Sequence, residues 1–170
     1  MIYFTSDLHL GHLNIIEACQ RPFHSLKEMN ETLINNHNKI VKPTDDIFYL
    51  GDLFWKPEYI ILLEQLNGRK YLIKGNHERN WVKYYEKNKD DFNNQFEWIK
   101  DYYELKYNKQ RFILFHYPIE SWNGRWRGTI HLHGHTHNRE NPIILPNRYN
   151  VGIDVNNLFP ISIENIVLFF

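Results

Sequence analysis

Through its first half the chain alternates short apolar runs with longer segments whose apolar residues recur at helical spacing. Ile2-Tyr3-Phe4 opens a strand over about residues 2–6 that stops at the polar Asp7. A short helix is expected over Asn14 to Ala18. Ser25-Leu26-Lys27-Glu28 has the make-up of a capping box, and Leu26, Met29, Leu33 and Ile40 carry a helix on until Pro43 and Asp45. Ile47-Phe48-Tyr49-Leu50 predicts a second strand. Pro57 at a first-turn position, followed by Ile60, Ile61, Leu63 and Leu66, predicts a helix closed by Asn67-Gly68. Tyr71-Leu72-Ile73 is a third strand. A polar helix is expected over about Asn80 to Lys89, with Lys83 to Lys89 as its solvated face.

From Trp98 the pattern changes. Strand-like runs at about 98–106 and 111–115 flank Asn108-Lys109 and predict a hairpin. Strands near 129–133 and 149–155 follow, and the apolar Ile166 to Phe170 reads as a buried last strand or helix end. Alternating strand and helix gives parallel units, and the strand-rich second half supplies a second sheet. The expected fold class is α/β, a single domain over residues 1–170 with two packed mixed β-sheets flanked by helices.

Composition narrows the picture. Of 170 residues 42% are hydrophobic and 16% aromatic, which suits one domain with a core of Ile, Leu, Phe, Tyr and Trp. Lys plus Arg and Asp plus Glu each number 20, so no overall basic field favours nucleic acid, and only a local patch would. The single cysteine, Cys19, excludes an internal disulfide and a thiolate metal cluster, and fits a reducing cytoplasm. No charged n-region with an apolar stretch and cleavage site precedes Ile2, and no apolar run approaches the roughly 20 residues a membrane span needs. A membrane is therefore not an expected partner, and nothing in the pattern points to a protein partner.

Five polar blocks sit at the mouths of the apolar runs: Asp7-Leu8-His9, Gly51-Asp52, Gly75-Asn76-His77, His116 and Gly134-His135-Thr136-His137. Strand ends are where an α/β fold gathers distant residues, so these side chains are expected to form one composite site. Carboxylate, imidazole and amide without thiolate suit Mn, Fe, Co, Ni or Zn better than Ca or Mg. Asp7 and His9 are two apart, as are His135 and His137, and each pair would point to one side of an extended strand. Glycine ahead of the ligands at 51, 75 and 134 admits unusual dihedrals and close backbone approach.

The set resembles the calcineurin-like metallophosphoesterases, whose pattern is D-x-H, G-D, G-N-H-D/E, an isolated H and G-H-x-H. All five blocks occur in that order, with Glu78 closing the third. The stretch from Thr5 to Ile16 and His116-Tyr117-Pro118 are similar to short bacterial and bacteriophage members. The resemblance implies two divalent transition metal ions, manganese first, with Fe, Ni, Co or Zn as alternatives. By position it implies Asp7, His9 and His137 on one metal, Asn76, His116 and His135 on the other, and Asp52 bridging both. It implies His77 as the catalytic residue, a general acid or transition-state stabiliser. The reaction implied is hydrolysis of phosphodiester bonds, nucleotide-type bonds among them, by a metal-bridged hydroxide attacking phosphorus in line. The alternatives are a phosphomonoesterase acting on small phosphorylated metabolites and a non-catalytic scaffold. The retromer subunit of this fold, a scaffold, lacks the histidine that His77 matches. The arginine that protein Ser/Thr phosphatases carry shortly after G-D is missing from Gly51 to Lys56.

Outside the blocks, His12 and Asn14 are expected either to contact substrate phosphate or to be a surface residue and a plain N-cap. Trp122, Arg125, Trp126 and Arg127 read as a loop anchored by tryptophans. In the alternative, Arg125 is a candidate substrate contact within an aromatic-basic cluster. His131 reads as core or as support for the ligands, and His133 as a group that orients a ligand imidazole. His24 and His37 read as surface or packing residues, and Arg21 is open to a substrate-facing reading that nothing in the spacing compels.

Overall fold

The structure, a computed structural model, describes residues 1–139 and 143–170. In chain order the first half forms β1 (Ile2–Thr5), α1 (Ile15–Ala18), α2 (Leu26–Ile40), β2 (Asp46–Tyr49), a 3-10 helix at Pro57–Gln65, β3 (Arg69–Ile73), α3 (Glu78–Lys87) and β4 (Phe96–Lys100). The second half forms β5 (Tyr103–Tyr107), β6 (Gln110–Leu114), β7 (Ile130–His133), β8 (Arg148–Asn150), β9 (Ile161–Ser162) and α4 (Ile163–Phe169), with 3-10 turns at Arg125–Arg127 and Ile153–Val155.

Local chemistry accounts for the helices. The Ser25 hydroxyl accepts from the Glu28 N–H at 3.1 Å, as a capping box requires. The Glu28 carboxylate reaches one residue further back than a box predicts and accepts from the His24 N–H at 2.8 Å. The segment after Pro57 is a 3-10 helix, not the expected α-helix. Its buried residues Ile60 and Leu63, and the buried Leu66 that caps it, recur every three positions, the spacing that a three-residue turn aligns, and Ile61 is left exposed. The third helix starts earlier than expected, at Glu78, and it is amphipathic, with Trp81, Val82 and Tyr85 buried beneath the charged face.

Two sheets result. The first has the order β4-β3-β2-β1-β9, with β1 to β4 parallel and β9 antiparallel to β1. The second has the order β5-β6-β7-β8, antiparallel between β5 and β6 and parallel beyond. Both are mixed, in agreement with the expected class. Phe4, Phe48, Leu50 and Ile73 of the first sheet pack against Phe112, Leu114, Ile130 and Leu132 of the second. The other face of the first sheet, including Ile47, Tyr49 and Leu72, is covered by Met29 and Leu33 of α2, Ile60 and Leu63 of the 3-10 helix, and Trp81 of α3.

The run at 98–106, expected as one strand of the hairpin, is two strands in different sheets, with Asp101 and Tyr102 as the crossing. The hairpin itself is β5–β6, turning at Asn108 with φ +52°. The last strand expected near 149–155 ends at Asn150 and continues as a 3-10 turn. The C-terminal run is not buried as expected: α4 buries Ile163 and Ile166, but Leu168 and Phe169 are 83% and 68% exposed. No helix among the described residues is long and apolar enough to cross a membrane.

Candidate metal centre

The first sheet delivers Asp7, His9, Asp52, Asn76 and His77 beyond the ends of β1, β2 and β3, and the second delivers His116, His135 and His137 beyond β6 and β7. The loops after β1 and β2 run side by side: the Asp7 and His9 N–H groups donate to the Gly51 and Asp52 carbonyls at 3.0 and 2.9 Å. The seam between sheets closes where the His135 N–H donates to the Asp7 carboxylate at 3.0 Å and the Gly134 N–H to the His116 carbonyl at 2.9 Å.

The side chains converge differently from the strand alternation expected for them. Asp7, His9, Asp52, His135 and His137 all lie past the strands with left-handed φ, from +50° to +69°. The paired ligands are aimed by these kinks and not by pleating. Gly134 permits the crossing, since a Cβ there would meet Ser6 Oγ at 2.0 Å and Asp7 Oδ2 at 2.3 Å.

Asp52 is central. Its Oδ2 lies 3.5 Å from His9 Nε2, 3.6 Å from His116 Nε2 and 3.8 Å from His77 Nε2, and its Oδ1 accepts from the His77 N–H at 3.0 Å. On one flank the ligand atoms of Asp7, His9 and His137 lie within 4.8 Å of one another. On the other flank Asn76 Oδ1 is 3.0 Å from His116 Nε2 and 3.0 Å from His135 Nδ1. Ligands about 2.1 Å from a six-coordinate ion stand about 3.0 Å apart, so the Asn76 flank is dimensioned for a cation, and the Asp7 flank, with His137 Nε2 3.9 Å from Asp7 Oδ1, is a looser cluster of the same kind.

Proton bookkeeping tests the fit. His116 Nδ1 is 2.7 Å from the Leu50 carbonyl, a contact that calls for an N–H there and leaves the Nε2 lone pair facing Asn76 Oδ1. His9 Nε2 is buried with no hydrogen-bond partner. Burial holds the His9 imidazole well below its ordinary pKa and pushes the Asp7 carboxyl up to about 7. Burial also disfavours a charge on His137, but the hydrogen bonds to Asp154 and Cys19 and the nearby Asp7 charge together outweigh it and raise the imidazole to about 10. Lone pairs turned on one another, an orphaned imidazole nitrogen and a carboxyl driven toward neutrality are what bound cations relieve. The residues present fit a pair of divalent ions.

Residues to which no sequence pattern assigned a supporting role surround the centre. Asp154 Oδ2 is 2.7 Å from His137 Nδ1 and fixes the ring so that Nε2 faces Asp7. Arg21, buried, grips Asp154 with two bonds of 2.8 and 3.0 Å and donates to the Asp7 and Leu8 carbonyls. Glu78, also buried, accepts from the Leu53 and Gly75 N–H groups and ties the second and third loops together. The one sequence signal for Asp154 is a lone carboxylate inside the apolar run from Val151 to Val155.

The remaining candidates fall into place individually. His12 is half-buried, 3.4 Å from His9 Nδ1 and stacked on Trp55 with ring centroids 3.7 Å apart. Asn14 is exposed and is the N-cap of the one-turn α1, without a side-chain capping bond. The Arg125 guanidinium turns onto the Glu120 carbonyl and the rings of Trp122 and Trp126, and among the described residues it touches no group of the centre. Of the two tryptophans expected to anchor this loop only Trp122 does so: it is buried and its Nε1 donates to the Thr129 carbonyl at 2.9 Å, whereas Trp126 is 85% exposed. His131 packs in the interior between the Ile113 and Tyr117 carbonyls, and His133 Nδ1 meets the Gly134 carbonyl. His24 is exposed and His37 buried.

A family model described as calcineurin-like phosphoesterase matches residues 1–150. An uncharacterized protein of Methanocaldococcus jannaschii is 38% identical over 175 residues, covering 98% of this chain and 89% of its own. The gene 66 protein of Mycobacterium phage D29 is 28% identical, covering 90% of this chain and 87% of its own. A crystal structure of a protein of unknown function from Aquifex aeolicus superposes with a TM-score of 0.75 at 26% identity, covering 100% of this chain and 99% of that one.

Proposed function

The chain belongs to the calcineurin-like phosphoesterases, and on that premise we propose that it hydrolyses phosphodiester bonds with two divalent transition metal ions, manganese first among them. The carrying observation is Asp52 Oδ2, set 3.5 to 3.8 Å from three imidazole nitrogens between two ligand clusters. Asp7, His9 and His137 would hold one ion, Asn76, His116 and His135 the other, and Asp52 would serve both. When bound, such a pair supplies Lewis acidity toward phosphoryl oxygens and an acidified water as nucleophile.

The chain's own groups do the rest. His116 is held by the Leu50 carbonyl and His137 by Asp154, so each presents Nε2 inward. The His77 backbone is fixed on Asp52 Oδ1, while its ring stands one-third exposed at the cleft, from which its Nε2 would protonate the leaving oxygen. A cleft of about 640 Å³ opens beside His77, and such space next to the candidate centre supports a diester, with its second substituent, over a monoester.

Protein stripped with chelator and resupplied with manganese is to be assayed on bis(p-nitrophenyl) phosphate and on p-nitrophenyl phosphate. Metal-dependent turnover that favours the diester is expected. Turnover of neither overturns the reading, and a monoester preference replaces it with the phosphomonoesterase. His77→Ala is expected to keep its metal and lose about 10²- to 10⁴-fold in kcat, and an unchanged kcat would remove His77 from the reaction.

A further inference from the structure

The cleft in front of His77 is walled by Trp55, Lys56, Arg79 and Lys83 among others, and no carboxylate among the described residues lines it, in a chain with equal numbers of acidic and basic residues. Arg79 and Lys83 lie four residues apart on α3, a spacing at which like charges oppose the helix. Both are exposed, and among the described residues neither has a hydrogen bond or ion pair. Lys56 is 4.0 Å from Glu58, the edge of an ion pair. Folding gains nothing from gathering these charges, so their use is sought in a ligand.

The geometry selects the ligand. At about 1.5 Å of rise per residue, Arg79 and Lys83 are separated by about 6 Å along the helix, leading away from His77. Phosphates recur about every 3.4 Å of axis along one strand of a duplex, a spacing that an unpaired strand can stretch, so two long cationic side chains rooted about 6 Å apart can each reach a phosphate of one chain. Trp55 adds a flat aromatic surface, its ring held within 4° of parallel to His12. A fixed aromatic face among cations is how proteins hold unpaired bases without reading sequence.

We propose that this cleft is a subsite for single-stranded oligonucleotide, with Arg79 and Lys83 on phosphates beside the scissile one and Trp55 against a base. The proposal rests on the phosphodiesterase reading and names its substrate class. The test is fluorescence anisotropy of the manganese-loaded full chain with a labelled phosphorothioate oligothymidylate of about ten nucleotides, which resists hydrolysis. The double variant Arg79→Gln, Lys83→Gln is compared with the parent across a salt series. Glutamine maintains helix propensity, and circular dichroism checks that the fold is kept.

The slope of log affinity against log salt is expected to flatten by about 1.4, at about 0.7 for each phosphate that is no longer neutralised. Trp55→Leu should weaken binding and leave the slope alone. An unchanged slope in the double variant overturns the subsite. Displacement by ATP at equal or better affinity also overturns it, in favour of a mononucleotide site. Diester turnover without oligonucleotide affinity sinks the subsite and spares the phosphodiesterase. Oligonucleotide affinity with the flattened slope, but no metal-dependent turnover, supports the subsite and sinks the phosphodiesterase.

Discussion

Asp154 answers to three segments at once. It accepts from His137 Nδ1, is clasped by Arg21, and through Arg21 is joined to the carbonyls of Asp7 and Leu8. Burial works against its charge, but the His137 and Arg21 bonds prevail and hold its carboxyl below the usual carboxylate range. Asp154→Asn keeps an acceptor oxygen but strips the buried guanidinium of its counter-charge. The expected result is a manganese affinity lower by about 10- to 100-fold by calorimetric titration, and a loss of about 3 kcal/mol in stability. Parent-like affinity would mean that His137 needs no such support. The residue was hidden in the sequence because orientation through a neighbour leaves no spacing signature: Arg21, Asp7 and Asp154 come together only in the fold.

The loops after the strands, not the strands, carry the candidate ligands. The element after β7 passes so close to the element after β1 that the seam tolerates no side chain at position 134. Gly134→Ala is expected to displace Ser6 and Asp7, abolish manganese binding and cost about 1–3 kcal/mol by overpacking. Gly128→Ala is the matched control: its φ is +80°, but nothing lies within 4 Å of the added carbon. It should cost about 1 kcal/mol and leave the metal in place. Equal metal affinity in the two variants would refute the packing argument. The strands were legible because runs such as Ile47 to Leu50 are buried on both sides. The type of the helix after Pro57 was not, since Ile60, Leu63 and Leu66 satisfy a three-residue period as well as a looser helical one. Nor was the break at Asp101, because a strand that changes sheets keeps its apolar character.

At the scale of the whole molecule, the five ordered blocks announced the fold and their own gathering in one place, since each block marks a strand mouth of one of two packed sheets. How those mouths are kinked was illegible, because left-handed backbone at Asp and His has no compositional mark. The interior also carries a pH liability away from the centre. Burial between α2 and β2 pushes His37 down to about 4, although the Asn67 carbonyl favours its charged form, and burial does the same to His131. The unfolded chain takes up these protons below about pH 6.5, the folded chain only near pH 4. Stability is therefore complete above pH 6.5 and falls through that window by up to about 1.4 kcal/mol per pH unit for each ring. In chelator-treated protein, His37→Gln should remove one ring's share of the slope in urea denaturation between pH 6.5 and 4.5. An unaltered slope would place the His37 ring in water. One feature reaches further. Five side chains of the centre stand on backbone that costs about 1 kcal/mol apiece in left-handed form. A laboratory selection for heat resistance alone would therefore drift toward asparagine and glycine at those very positions, and its hardiest survivors would be inert.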